Sequence, residues 1–336
     1  MHTPHLKALS HESLTFTRCY VQQALCAPSR NSFMSGRRPT KTMSWNFIDD
    51  FRRSAPGGKN WTALPQYFKE KGYYTVGAGK VYHPGLPRGW DFPKSWSNRH
   101  INKTVTRHHN GTKKNVTEKA FDWLYPSEAK CPGNTSWCAI EPHDTKNTDF
   151  DDRQILNASL HLLRTAVEQR QRSDRPFFLA VGFRKPHLQW KFPARFLNLS
   201  YGPALADVPL PKHRFFPAAA PPVAFHQPKS DFMDAFDDTW KCGSKNVAPN
   251  WAFSKLCQRR FRRAYWAAVS YLDSQVGLLL AEVRRQGQEH NTIVVFFGGK
   301  QHDIRSPRCK SNLLTLFAIM FCSTFVCCWR SSITRP

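Results

Sequence analysis

Apolar positions recur along this chain at two spacings, and the changes between them divide it into helices and strands. The longest periodic stretch runs from Arg259 to Gln286. There Phe261, Tyr265, Val269, Leu272, Val276, Leu279, Leu280 and Val283 fall on one helical face. Asp151 to Arg172 carries a second stripe through Ile155, Leu156, Ser159, Leu160, Leu163 and Val167. Phe177 to Gly182 is a continuous apolar run behind Pro176, the pattern of a strand buried on both faces, and Thr292 to Phe297 is another. Upstream, Thr62 to Lys71 predicts a helix with Thr62 as N-cap, stopped by Gly72 and followed by a strand over Tyr73–Val76. A short helix over Thr3–Leu9 and a strand over Ser13–Tyr20 precede it. Residues 84–150 and the Pro-rich stretch 203–228 lack periodicity and read as surface loops. Helices alternating with apolar strands predict an α/β sandwich, with a central, mostly parallel mixed sheet flanked by helices.

Composition adds a charge and a compartment. The 336 residues are 40% apolar, ample for a core, with a formal net charge of +25. No basic amphipathic helix interleaved with aromatics and no zinc-finger spacing accompanies that charge. No nucleic acid partner is therefore predicted, and a polyanion such as a sulfated sugar chain is steered by the same field. Seven of the fifteen Asn open Asn-x-Ser/Thr sequons, at Asn60, Asn102, Asn110, Asn115, Asn134, Asn157 and Asn198. That density points to the secretory pathway. Cys131 and Cys138 bracket Pro-Gly-Asn-Thr-Ser-Trp as a short surface disulfide would, with Cys242 and Cys257 a second candidate pair. Met1 nevertheless opens on His-Thr-Pro-His-Leu with no apolar leader, so no signal peptide is read here.

The chemistry gathers around residues 21–38. A strand and turn run into a helix, with Pro28 suited to its first helical position and Cys26 at its positive end, where a thiolate or anion is favoured. A lone cysteine reads as a buried core residue. Here Cys26-Ala-Pro28-Ser29-Arg30 is followed by Gly36-Arg37-Arg38-Pro39. Two further clusters leave strand ends: Lys80-Val-Tyr-His83 after the strand beginning at Tyr73, and Arg184-Lys185-Pro186-His187 after Phe177–Gly182. Ligands bind outside the carboxyl ends of strands in open α/β sheets, and a Lys–His pair there can hold an anion and relay a proton. Alone, either cluster reads as a solvated loop.

The pentapeptide with its downstream Gly-Arg-Arg-Pro resembles the signature of the sulfatase family. The resemblance runs from about Thr3 to Gly298. It implies that Cys26 is oxidised to formylglycine by a formylglycine-generating enzyme, and that the hydrate of this aldehyde attacks sulfur. Arg30 would stabilise the hydrate and Lys80 and His83 would orient it. Lys185 and His187 would bind the sulfate and assist the leaving oxygen. The substrate implied is a sulfated glycosaminoglycan, and the location implied is the lysosome or secretory route. Another sulfatase subgroup is the rival among enzymes, whereas a phosphodiesterase of the same superfold is disfavoured, because its nucleophile is usually Thr or Ser. A non-catalytic binder of sulfated glycans is the reading from a different class.

The resemblance also implies one Ca²⁺, held by an early Asp-Asp pair, by the group made from Cys26, and by an Asp-His pair after the strand matched by Thr292–Phe297. The chain shows no early pair, and reads Gly299-Lys300 where the second is expected. A calcium site wants six or more oxygen ligands. The expectation is a catalytic domain over residues 1–298, incomplete at its N-terminal strand, lacking the C-terminal subdomain, binding calcium weakly if at all and inactive as it stands. Residues 299–336 are expected to be unrelated to the family. Gly299-Lys300 can be encoded as the start of an intron, and the uncharged run Leu313–Trp329 is read as translated intron rather than a membrane anchor.

Overall fold

The computed structural model describes residues 1–23, 25–97, 130–144, 150–211, 236–242 and 253–298, together with the backbone of 100–109, 112–121 and 317–323. The helices are α1 (Pro4–His11), α2 (Cys26–Ser35), α3 (Pro39–Thr42), α4 (Leu64–Glu70), α5 (Asp151–Ser173), α6 (Asp237–Lys241) and α7 (Lys255–Arg285). The strands are β1 (Tyr74–Gly79), β2 (His100–His109), β3 (Thr112–Phe121), β4 (Trp137–Ile140), β5 (Phe177–Gly182), β6 (Trp190–Pro193), β7 (Thr292–Gly298) and β8 (Phe317–Ser323).

The central sheet runs β1-β5-β8-β7. β1 and β5 are parallel, in a register that sets Gly79 beside Gly182. β8 is antiparallel to both of its neighbours. Side chains of β5 alternate between two cores, as a strand covered on both faces must. Phe177, Leu179 and Val181 join Ile155 and Leu163 of α5 and Leu272, Val276 and Leu279 of α7. Phe178 and Ala180 face the other way, toward Met34 of α2, Ala63, Val81, Tyr82 and Trp96. Each fully buried side chain of this size contributes about 1.5–3 kcal/mol. The predicted α/β sandwich is therefore present.

Local chemistry sets the ends of these elements. Gly36 closes α2 in the left-handed conformation at φ 66°. Ser254 caps α7 by accepting the Cys257 N–H at 3.2 Å. Asp273 of α7 accepts the N–H groups of His5 (3.2 Å) and Leu6 (2.7 Å), so it serves the first turn of α1 from another helix. Both expected disulfides, Cys131–Cys138 and Cys242–Cys257, are formed.

Four expectations are corrected. Residues 13–20 form no strand, and Leu14, Phe16 and Tyr20 are exposed. Residues 21–25, expected to enter α2 as a strand, are irregular where described. α2 begins at Cys26, two residues before Pro28, and Pro28 is tolerated because the first turn needs no N–H donors. Region 84–150 is not all loop: β2 and β3 form an antiparallel pair pairing His100 with Phe121 and His109 with Thr112, and β4 pairs with β6 in a second small sheet. The stretch 212–228 of the Pro-rich loop lies outside the described residues, as does all of the 299–336 tail except β8.

Candidate active site

Three elements meet at the carboxyl end of β1. The chain leaves that strand at Gly79, where φ is +72° and a side chain would collide with the Gly182 carbonyl, so only glycine fits the close approach to β5. The Lys80 N–H then donates to the Gly182 carbonyl at 2.7 Å and carries the strand register into the loop. Lys80, only 4% exposed, extends its ammonium to 3.7 Å from Cys26 Sγ. Cys26 is itself buried in the first turn of α2, where the helix dipole also favours negative charge.

Arg30 sits one turn further along α2 and is completely buried. Its Nη1 donates to the carbonyls of Lys80 and of Val81, the latter at 2.6 Å. It therefore ties the nucleophile helix to the segment that carries Lys80. Asn31 completes the attachment, with Nδ2 donating to the Ala27 carbonyl at 2.8 Å and Oδ1 accepting the Phe51 N–H at 2.9 Å. His83 is half-buried, with the Phe47 ring 5.0 Å from its own. Beyond it, Asp91 accepts from Arg52 Nε (2.7 Å) and Ser95 Oγ (2.6 Å), which fixes the loop leaving the site.

Lys185 and His187 follow β5 just as Lys80 and His83 follow β1, on the neighbouring strand and at the same end of the sheet. Asp152, in the first turn of α5, accepts the N–H of Arg184 on Oδ1 at 2.5 Å and of Lys185 on Oδ2 at 2.9 Å. Asp151 lies 3.4 Å from Arg184 Nη1 and 4.0 Å from Lys185 Nζ. Burial pushes the Asp152 carboxyl above the usual carboxylate range, opposed by the Lys185 ammonium. His187 Nδ1 donates to the Leu188 carbonyl at 2.6 Å, which fixes the orientation of the ring. Cys26, Arg30 and Lys80 are thus joined by direct contact, whereas Lys185 and His187 are brought to the same end by register. Asp151 and Asp152 are the residues sequence reasoning missed. Two acids opening a helix read as ordinary dipole complement, and only their burial reveals another task.

A calcium site does not emerge from these residues. Among the described residues no group of three or more His, Cys, Asp or Glu side chains could hold a metal. Cys26, expected to become a metal ligand after oxidation, has an ammonium beside its sulfur, and the Asp151 and Asp152 carboxylates are engaged by Arg184 and Lys185. No step is routed through a metal here.

A family model for sulfatases matches residues 1–309. The chain belongs to the sulfatase family. The iduronate 2-sulfatases of Mus musculus and Homo sapiens are each 34% identical to it over 297 residues, which is 88% of this chain and 49% of theirs. The chain spans about half the length of the curated relatives it matches. The solved structure of Ps i-CgsB in complex with k-i-k-neocarrahexaose shares the fold, with a TM-score of 0.50 at 14% identity, covering 96% of this chain and 60% of that one. Among the described residues no helix is long and apolar enough to cross a membrane.

Proposed function

We propose that the protein hydrolyses a sulfate ester on a glycosaminoglycan, namely the 2-O-sulfate of iduronate in heparan and dermatan sulfate. It does so in the lysosome after passage through the secretory route. The observation that carries this reading is Cys26 at a helix N-terminus with Lys80 Nζ 3.7 Å from its sulfur. That is the arrangement needed to hold an anionic sulfate against a residue of the nucleophile helix. Formylglycine made at Cys26 supplies the nucleophile as its hydrated aldehyde. Lys80 neutralises charge developing beside it, and Arg30 fixes α2 so that the distance holds. Lys185 and His187 bind the sulfate from the β5 side, with His187 Nε2 protonating the leaving oxygen. The net charge of +25 draws the polyanionic substrate in.

Mass spectrometry of the Cys26 peptide, taken with sulfate release from an iduronate 2-sulfate disaccharide, tests the proposal. Formylglycine at Cys26, and loss of turnover in Cys26→Ala, are the expected results. Unmodified Cys26 with no turnover but retained affinity for heparan sulfate favours the second reading, a non-catalytic binder. That reading draws on the absence of a carboxylate cluster beside Cys26 among the described residues. Residues 299–336 are proposed to be a segment foreign to the family's catalytic domain, a boundary that sequencing the transcript across the Gly298 codon tests.

A further inference from the structure

A groove of about 480 Å³ lies between α5 and α7. Its size falls within the roughly 300–1,000 Å³ of small-ligand pockets. Leu160 of α5 and Leu278 of α7 line it. Leu278 is 56% exposed, a large apolar side chain on a helix whose opposite face is core. Gln275 lines the groove too, with Nε2 donating to Ser274 Oγ at 3.0 Å. Its Oε1 is buried with no hydrogen-bond partner, which leaves an acceptor requiring a donor. On the same wall stands the exposed Asn157, the acceptor of the sequon Asn157-Ala158-Ser159. Asn60, Asn134 and Asn198 are also exposed and are not part of this groove.

We propose that the groove is the bed of a glycan N-linked to Asn157. The first N-acetylglucosamine lays its apolar face on Leu160 and Leu278. The inference rests on the secretory reading above. In the transfer, the Asn157 side-chain nitrogen forms a bond to C1 of a lipid-linked oligosaccharide pyrophosphate. The bond from C1 to the pyrophosphate oxygen breaks, and the amide gives up one proton. In the folded helix Ser159 is fully buried and its Oγ donates to the Ile155 carbonyl at 2.7 Å. The sequon is therefore readable only before α5 forms, and the sugar folds down with the helix.

The test uses the full chain secreted from animal cells behind a cleavable leader. Glycopeptide mass spectrometry reads occupancy at each sequon. An endoglycosidase that cuts between the two core N-acetylglucosamines is then applied to native and denatured protein. The expected result is an Asn157 glycan cut at least about ten-fold more slowly than those at Asn60 and Asn198 in the native protein, and equally fast after denaturation. Leu278→Asp, on an exposed face, should raise the native rate at Asn157 to that of the other sites. Equal native rates, or an empty Asn157 beside an occupied Asn60 or Asn198, overturn the bed while leaving the secretory reading intact. Empty sequons throughout overturn both.

Discussion

Lys80 Nζ lies 3.7 Å from Cys26 Sγ, and both side chains are buried. A desolvated ammonium so placed interacts more strongly with a developing anion than it would in water. Lys80→Met should lower kcat for sulfate release by about 10²-fold or more, the scale of removing one preorganised donor. KM should change less, and the far-ultraviolet dichroism should be unchanged. Steady-state kinetics on the formylglycine-bearing protein checks this.

Arg30 Nη1 donates to two backbone carbonyls, those of Lys80 and Val81, inside the protein. Arg30→Ala should destabilise the fold by about 3 kcal/mol or more, because a buried fork of donors is removed along with its side-chain volume. Arg30→Lys keeps the charge and loses the fork, and should recover only part of that. Urea midpoints of the three proteins give the comparison.

Asp152→Ala strips the acceptors from the N–H groups of Arg184 and Lys185 together. Each buried unpaired group costs about 1–3 kcal/mol, so a loss of about 2–4 kcal/mol is expected. Sulfate affinity should fall as well, since the same turn presents Lys185 and His187. Equilibrium unfolding and calorimetric titration with sulfate report the two effects separately.

Glu282 is held at about 2, below its ordinary 4.5, chiefly by the hydrogen bonds from Arg285, with Arg164 adding to them. A depressed carboxyl stabilises the fold above its unfolded value, and that contribution fades as pH falls from about 4.5 through about 2. The arginines are half-exposed, so solvent screening reduces the effect to about 1 kcal/mol. Glu282→Gln should be less stable by that amount at pH 7, and should converge with the parent near pH 2. Denaturation curves across that range decide it.

Most of what positions the site was legible because it is written in long, one-sided patterns. β5 has the predicted ends, and α5 and α7 differ from prediction by a few residues, since continuous apolar runs and heptad-like stripes leave little choice. The β2–β3 pair was not read, because its arms are mostly polar, with only Ile101 and Val105 in one and Val116, Ala120 and Phe121 in the other. The one short-range cue, Asn110-Gly111 lying between the arms in sequence, was passed over as a sequon. The strand expected over residues 13–20 failed for the opposite reason. It has alternation but no strand among the described residues to pair with, and an unpartnered strand is not stable in water. Cys26, Arg30 and Lys80 were legible as a motif. Asp151 and Asp152 were not, since their task depends on the turn after β5, more than thirty positions away.

The antiparallel seating of β8 between β5 and β7 has a consequence for biosynthesis. β1, β5 and β7 are all synthesised before β8. From Gly298 to Ser323, at about 5–20 residues per second, translation takes about 1–5 s. Throughout that interval β5 and β7 each present an open edge of backbone donors and acceptors, facing a gap one strand wide. Such edges recruit any extended segment nearby. A chaperone that engages extended chain should crosslink to released chains truncated between Gly298 and Phe317, and not to those extended past Ser323.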